Sequence, residues 1–386
     1  MPLPPGLEAP GLEAYVDWVR NDALPFWLTR AADVDGVFYE TLALDGTPQP
    51  ETELRLRTGM RQAYVFAQAA HLGLIDRPPA LALAERIVDH LRAVAWAPDG
   101  RPGWVARFKR DGSVTDGRRD LYDHAFTLHA LANLYQATSG ATGGARYLGW
   151  IDETLAVVDE VLHSPHGGWA ESDRHELPRR QNPHMHLFEA CLALFEATGE
   201  ARYLARAGEI FGLFRARWFD QASGILGEYF NADWSRAAGA TGARLEPGHM
   251  VEWVWLLRRF ERASGRRVDD LCEGLFGSAM RLGRTADGFL ADEADADGRP
   301  LLDRRRLWGQ TEYLKALIVQ SAAGGGGALL EQAEALVRRL FASYLAEVPA
   351  GGWRDQFDLA GRPTAANIPA STLYHLLVPA VEILRL

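Results

Sequence analysis

"PGHMVEWVWLLRRF", residues 247–260, predicts a helix with apolar side chains on nearly every face. Such a helix is buried. Its opening turns hold only His249 and Glu252, three residues apart and so on one face. Five other stretches share this character. They are "MRQAYVFAQAAHLG" (60–73), "LYDHAFTLHALANLYQATSG" (121–140), "HMHLFEACLALFEATG" (184–199), "WGQTEYLKALIVQSAAG" (308–324) and "STLYHLLVPAVEILRL" (371–386). Most close on a glycine, as helices do at a left-handed C-cap. The segments between them, such as "LARAGEIFGLFRARWF" (204–219) and "EQAEALVRRLFASYL" (331–345), carry one apolar stripe and one polar face.

A second pattern repeats in step with the first. Gly36, Gly103, Gly168, Gly224, Gly288 and Gly352 each open a short alternating stretch that ends in a turn, at spacings of 67, 65, 56, 64 and 64 residues. Each reads as a short hairpin bounded by glycine and aspartate turns. "ARYL" recurs as well, at 145–148 and 201–204. A period of this length signals a repeat architecture. Six units, each pairing a buried helix with an amphipathic one, predict an all-α six-fold (α/α) barrel, with short β-hairpins gathered at one end where a pocket opens. An open solenoid is the alternative, but its inner helices would be less apolar. The reading treats 1–386 as one catalytic domain, with the glycines at 324–327 as a loop between two helices.

Composition agrees with a globular protein. The 386 residues are 47% hydrophobic and 24% charged. A net charge of −10 argues against nucleic acid or an anionic membrane surface as partner. Cys191 and Cys272 make no disulfide framework. The start "MPLPPGLEAPGLEAYVDW" has no signal-peptide pattern, and no apolar run reaches the roughly 20 residues of a membrane span. A cytoplasmic protein is expected. The 12 tryptophans suit either core packing or stacking against the C–H faces of sugars.

Polar residues near the starts of the buried helices share the period. Arg61, His124, His186, His249, Glu312 and His375 are 63, 62, 63, 63 and 63 apart. In a closed barrel they would converge on one cavity. His124 is open between two roles, since Tyr122 and Asp123 beside it can satisfy it in the core. The H-x-x-E pairs His186/Glu189 and His249/Glu252 let a carboxylate orient a ring or accept from a ligand hydroxyl. For His249, the helix N-terminus favours a neutral ring, the state a general base requires.

Other chemistries fit less well. "NPHMH" offers His184 and His186 as a zinc pair, without the third or fourth ligand zinc takes. "DEADADG" (292–298) resembles a calcium loop, but Arg304 stands where the closing glutamate belongs, so a hairpin turn is expected. No phosphate-cradling glycine loop or nucleophile elbow is present. No metal or other cofactor is expected. Glu252 and Glu312 could serve as a glycosidase pair, yet so many imidazoles favour proton transfer at carbon. Sugar phosphates are disfavoured, because no dedicated cluster of cations stands out, although Arg61 and the arginines at 304–306 are available.

The chain resembles the N-acylglucosamine 2-epimerase superfamily. The stretches that match are "RQAYVFAQA" from Arg61, "LYDHAFTLHAL" (121–131), "NPHMHLFEA" (182–190), "PGHMVEWVWLL" (247–257), "RLWGQTEYLKA" (306–316) and "STLYHL" (371–376). The resemblance implies a six-fold α/α barrel and metal-free chemistry on a small sugar. It implies His375 and His249 as the catalytic pair, with Arg61, His186, Glu252 and Glu312 as substrate contacts. Trp308 and His124 join the expected substrate-binding set. Gly309 departs from the family pattern, which often has proline or tryptophan there. The branch most resembled interconverts D-mannose and D-fructose through an enediolate. A 2-epimerase, or a glycoside hydrolase on the same barrel, is the alternative. A monomer or homodimer is expected.

Overall fold

A computed structural model describes residues 11–138 and 144–386. Residues 1–10, part of the start read above as lacking a signal peptide, lie outside the described residues, as do Ser139 and Gly140 at the end of the 121–140 stretch. The buried helices form an inner ring: α3 (Leu56–His71), α5 (Leu121–Thr138), α7 (Gln181–Thr198), α10 (Pro247–Ser264), α12 (Leu307–Gln320) and α14 (Leu373–Ile383). Each packs on the next, and α14 returns to α3. The amphipathic helices make the outer sleeve: α1 (Leu12–Trp18) with α2 (Leu24–Leu28), α4 (Arg77–Ala95), α6 (Ala145–Glu160), α8 (Ala201–Leu213), α11 (Asp269–Gly283) and α13 (Gly327–Ala342). A one-turn helix, α9 (Gly239–Ala243), lies in the loop before α10. The six-fold (α/α) barrel expected from the sequence is therefore present.

Burial follows the sequence pattern. Helix α5 buries residues on every face, whereas α4 buries only the stripe that includes Leu83, Ile87, Val88 and Leu91. Left-handed glycines end two inner helices, Gly199 after α7 (φ 74°) and Gly265 after α10 (φ 72°). The glycines at 324–327 do lie between α12 and α13.

The chain runs from each outer helix through a long hairpin-bearing segment into the next inner helix, so all six inner N-termini point to one end. There the residues just ahead of each inner helix pair with the following repeat. Arg55 pairs with Arg107, Asp120 with Ser172, Arg180 with Tyr229, Leu245 with Ala294, and Arg306 with Gln356. The ring closes when Thr41–Ala43 pairs with Asn367–Pro369 and the Tyr15 hydroxyl donates to the Leu376 carbonyl (2.9 Å). The stretch at 292–298 is a hairpin turn, with Asp295 accepting from the Asp297 and Arg299 amides. Among the described residues no helix is long and apolar enough to cross a membrane.

Candidate active site

A cavity of about 460 Å³ opens at the end where the inner helices begin. Arg61, His186, His249, Glu252, Trp308 and His375 line it together. Each sits within the first two turns of its helix, so the barrel brings five helices to one chamber.

His124 and Glu312 are not among the lining residues. His124 is buried, its Nε2 accepting from the Trp104 amide (3.3 Å) while Nδ1 faces the Asp120 carbonyl (2.8 Å). Two residues along a helix turn a side chain by about 200°. Tyr122 therefore faces the cavity while His124 faces the hairpin behind it. His184 repeats the arrangement, its Nε2 accepting from the Trp169 amide (3.1 Å), which points it away from any zinc pair with His186. Gln310 does the same work at Leu290. These three side chains fasten hairpins to inner helices. Glu312 lies behind His375. Its Oε1 accepts from His375 Nδ1 (2.7 Å) and its Oε2 is 2.5 Å from the ammonium of buried Lys315. Lys315 in turn rests 3.7 Å over the Trp255 ring.

The two H-x-x-E pairs behave differently. Glu189 does orient its histidine, accepting from His186 Nδ1 (3.1 Å), and it is held by the Tyr374 hydroxyl (2.7 Å). Glu252 does not touch His249. The His249 Nδ1 instead meets Glu228 (3.0 Å) and Glu246 (3.7 Å). Glu252 turns to the cavity with its Oε1 buried and unpaired. Trp308 lies between the two candidate imidazoles, its ring 5.3 Å from His249 and 5.7 Å from His375. Gly248 makes room for it, since a Cβ there would stand 2.6 Å from the indole.

The electrostatics separate the histidines. Burial, joined by the charges of Arg61 and Lys315, holds His375 well below the usual histidine range. Burial also lowers His186, to about 4, against the pull of Glu189. At His249 burial works in the same direction, but Glu246 and Glu228 outweigh it and raise the ring to about 10. The neutral His249 expected from the helix dipole is thus overturned, because two carboxylates within 4 Å exceed the field of one helix end. Burial, reinforced by Glu312, raises Glu252 well above the usual carboxylate range, and burial raises Glu246 to about 7. Arg61 donates to the Tyr122 hydroxyl (2.6 Å) and lies 4.1 Å from the Phe126 ring, its buried Nε unpaired.

Arg55, Arg57, Arg180 and Arg306 also line the cavity. The cation cluster judged missing from the sequence is therefore assembled by the fold from three different repeats. Among the described residues, metal-ligand types cluster in three places, one example being Glu228, Glu246 and His249, with ligand atoms within 4.8 Å. At each of the three, a histidine Nδ1 is already hydrogen-bonded to a carboxylate.

Sequence reasoning missed Glu228, which stands in the hairpin of the fourth repeat. It also missed Tyr122 as a cavity residue and Lys315 as the partner of Glu312. Lys315 carries a readable signal, since an uncompensated lysine on a wholly apolar helix demands a carboxylate one turn away.

The sequence model for N-acylglucosamine 2-epimerase matches residues 36–379. A mannose-6-phosphate isomerase from Rhizobium meliloti is 36% identical over 374 residues, covering 95% of this chain and 95% of its own. A D-mannose isomerase from Thermobifida fusca is 29% identical over 390 residues, covering 92% and 91%. Among solved structures, a D-mannose isomerase superposes with a TM-score of 0.84 at 23% identity, over 97% of each chain. A cellobiose 2-epimerase from Bacillus thermoamylovorans gives 0.85 at 19%, over 97% of this chain and 99% of its own. The chain belongs to the N-acylglucosamine 2-epimerase family of sugar isomerases and epimerases.

Proposed function

We propose that the protein is an aldose–ketose isomerase acting on a mannose-configured sugar and giving the fructose-configured ketose. The observation that carries this reading is one cavity lined by two imidazoles, each with Nδ1 on a carboxylate, whose surroundings push their pKa values in opposite directions. Neutral His375 is suited to take a proton from carbon, and charged His249 to give one to oxygen. The relatives' names, mannose-6-phosphate isomerase and D-mannose isomerase, agree with the sugar.

The chemistry proceeds in balanced steps. The ring opens as the C1–O5 bond breaks, O1 gives up its proton and O5 gains one, exposing the C1 aldehyde. Glu312, paired with Lys315, accepts from His375 Nδ1 and leaves the Nε2 lone pair toward the cavity. His375 removes the C2 proton, and the electron pair moves through C1 onto O1. Negative charge developing there is met by the Arg61 guanidinium and the His249 imidazolium, in a site where both are largely shielded from water. His249 gives its proton to O1, His375 returns its proton to C1, and the O2 proton passes back to His249, which gives the ketose. Protonation at the opposite face of C2 gives the epimer instead. A 2-epimerase remains the second reading, favoured by the placement of Trp308 between the two imidazoles. A glycosidase reading loses its carboxylate pair, because Glu312 is withdrawn behind His375.

The test is a proton NMR time course in D2O with EDTA present, using D-mannose and D-mannose 6-phosphate in parallel. Ketose formation with deuterium entering the exchanging carbon supports isomerisation without a metal. Direct appearance of the glucose epimer makes the enzyme an epimerase. No exchange with either sugar refutes the reading.

A further inference from the structure

Three arginines share one unusual position. Arg55, Arg180 and Arg306 are the N-cap residues of α3, α7 and α12, spaced 125 and 126 residues apart, which is two repeats each time. Each is fixed by a hairpin carboxylate that accepts from both its backbone amide and its Nε. Glu40 holds Arg55 (2.5 and 3.0 Å), Glu171 holds Arg180 (2.7 and 2.7 Å), and Asp292 holds Arg306 (2.8 and 2.6 Å). For Arg180 and Arg306 the guanidinium is anchored through Nε alone, whereas Arg55 also donates from Nη2 to Glu40 (2.6 Å). Among the described residues, the Nη atoms of Arg180 and Arg306 have no hydrogen-bond partner. All three side chains remain part exposed, at 37%, 39% and 32%, and all three line the cavity.

The fold adds to this. Six inner helices direct their N-termini to this end, and helix N-termini attract anions. Arg57 and Arg61 line the same cavity, as do three acids: burial disposes Glu252 and Asp355 toward the neutral form, and Glu246 is engaged with His249 at 3.7 Å. A neutral hexose does not call for three anchored guanidinium groups around one cavity, two of them with both Nη atoms free. A tetrahedral dianion does, because arginine forks match phosphate oxygens.

We propose that Arg55, Arg180 and Arg306 form a rim that binds a phosphate carried by the sugar at the end away from its reacting C1 and C2. This assignment rests on the isomerase reading for the position of C1 and C2. It makes the preferred substrate a hexose phosphate ester, with the imidazoles deeper in the chamber and the phosphate at its mouth.

Calorimetric titration of the full chain with D-mannose 6-phosphate, D-mannose and inorganic phosphate tests binding apart from turnover. The ester is expected to bind about tenfold or more tightly than the free sugar, as charge-assisted contacts predict. That margin should shrink as sodium chloride is raised, and inorganic phosphate should compete with the ester. The double variant Arg180→Ala/Arg306→Ala should lose most of the margin. Equal affinity for the ester and the free sugar, or no competition by inorganic phosphate in the wild type, overturns the rim without needing a variant. If the ester is preferred but neither sugar is isomerised, the rim stands and the isomerase reading falls. If D-mannose is isomerised and the ester has no advantage, the rim falls and the isomerase reading stands.

Discussion

Replacing Glu228 with glutamine probes the charge on His249 with little change of shape. The amide oxygen of Glu228→Gln can still accept from Gln181 Nε2 and from His249 Nδ1, contacts of 2.9 and 3.0 Å in the wild type. Only the negative charge is lost. For charge centres about 4 Å apart in a medium of effective dielectric near 20, that charge is worth about 4 kcal/mol. This equals about three pKa units. The sign is definite: removing an anion beside a cation destabilises the cation, so the His249 pKa falls. From its value of about 10 it should arrive near about 7, with Glu246 at 3.7 Å retaining part of the shift.

If charged His249 stabilises the enediolate, its deprotonation sets the alkaline limb of kcat/KM. At pH 6 the variant and wild type should differ little. At about pH 8.5 only about 3% of the variant would carry the imidazolium, so kcat/KM should fall about thirtyfold. The assay is the initial rate of ketose formation between about pH 6 and 10, beside an NMR titration of the His249 Cε1–H. An alkaline limb left near pH 10 in the variant would refute the assignment of the charge to Glu228. An equal loss at every pH would show that Glu228 matters for shape alone.

The other expectations concern neighbouring parts of the same chamber. His375→Ala should abolish measurable turnover while circular dichroism stays native, and Glu312→Gln should cost about 100-fold in kcat by releasing the ring's orientation. His124→Ala should lower stability by about 1–3 kcal/mol, because the Trp104 amide loses its acceptor, and leave turnover per folded molecule unchanged. An activity loss without a fall in Tm would return His124 to the site. Gly248→Ala should displace Trp308, seen as raised KM and altered tryptophan fluorescence, since its Cβ would meet the indole at 2.6 Å.

The barrel was legible because its inner helices must be apolar on nearly all faces and its hairpins must turn on glycine. Gly36 shows the second constraint: it has φ 81°, and a Cβ there would stand 2.5 Å from the Arg86 carbonyl oxygen. The cavity residues read from the repeat were right only where sequence period and helix face coincide, while Glu252 followed from its spacing to His249 and Trp308 from the family resemblance. Arg61, His186, His249 and His375 satisfy both. His124 satisfies the period but stands two residues from the facing position held by Tyr122. The partners of His249 were harder to read, because Glu228 reaches it from a hairpin 21 residues away and no helical spacing connects them. The arginine rim was hidden for a similar reason. Its members are 125 and 126 residues apart and come to line one cavity only in the folded ring.

The division of labour proposed for the two imidazoles would have a simple electrostatic origin, and one lysine tests it. Both histidines present Nδ1 to a carboxylate, Glu312 for His375 and Glu228 for His249. Carboxylate contact alone therefore cannot explain why one ring stays neutral and the other is charged. The difference lies behind the carboxylates. Glu312 is already paired with Lys315 at 2.5 Å, so little of its field remains for the ring, and the ammonium opposes a second cation. At Glu228 the neighbour is neutral Gln181, and Glu246 adds its charge on the same side. Lys315→Met keeps the packing against Trp255 and removes the cation. His375 should then be protonated at higher pH, because its folded-state pKa rises toward the usual histidine range. The acidic limb of kcat/KM should move upward with it, while the alkaline limb set by His249 stays in place. If instead both limbs hold and only kcat drops, Lys315 acts through packing, and the neutrality of His375 must come from burial alone.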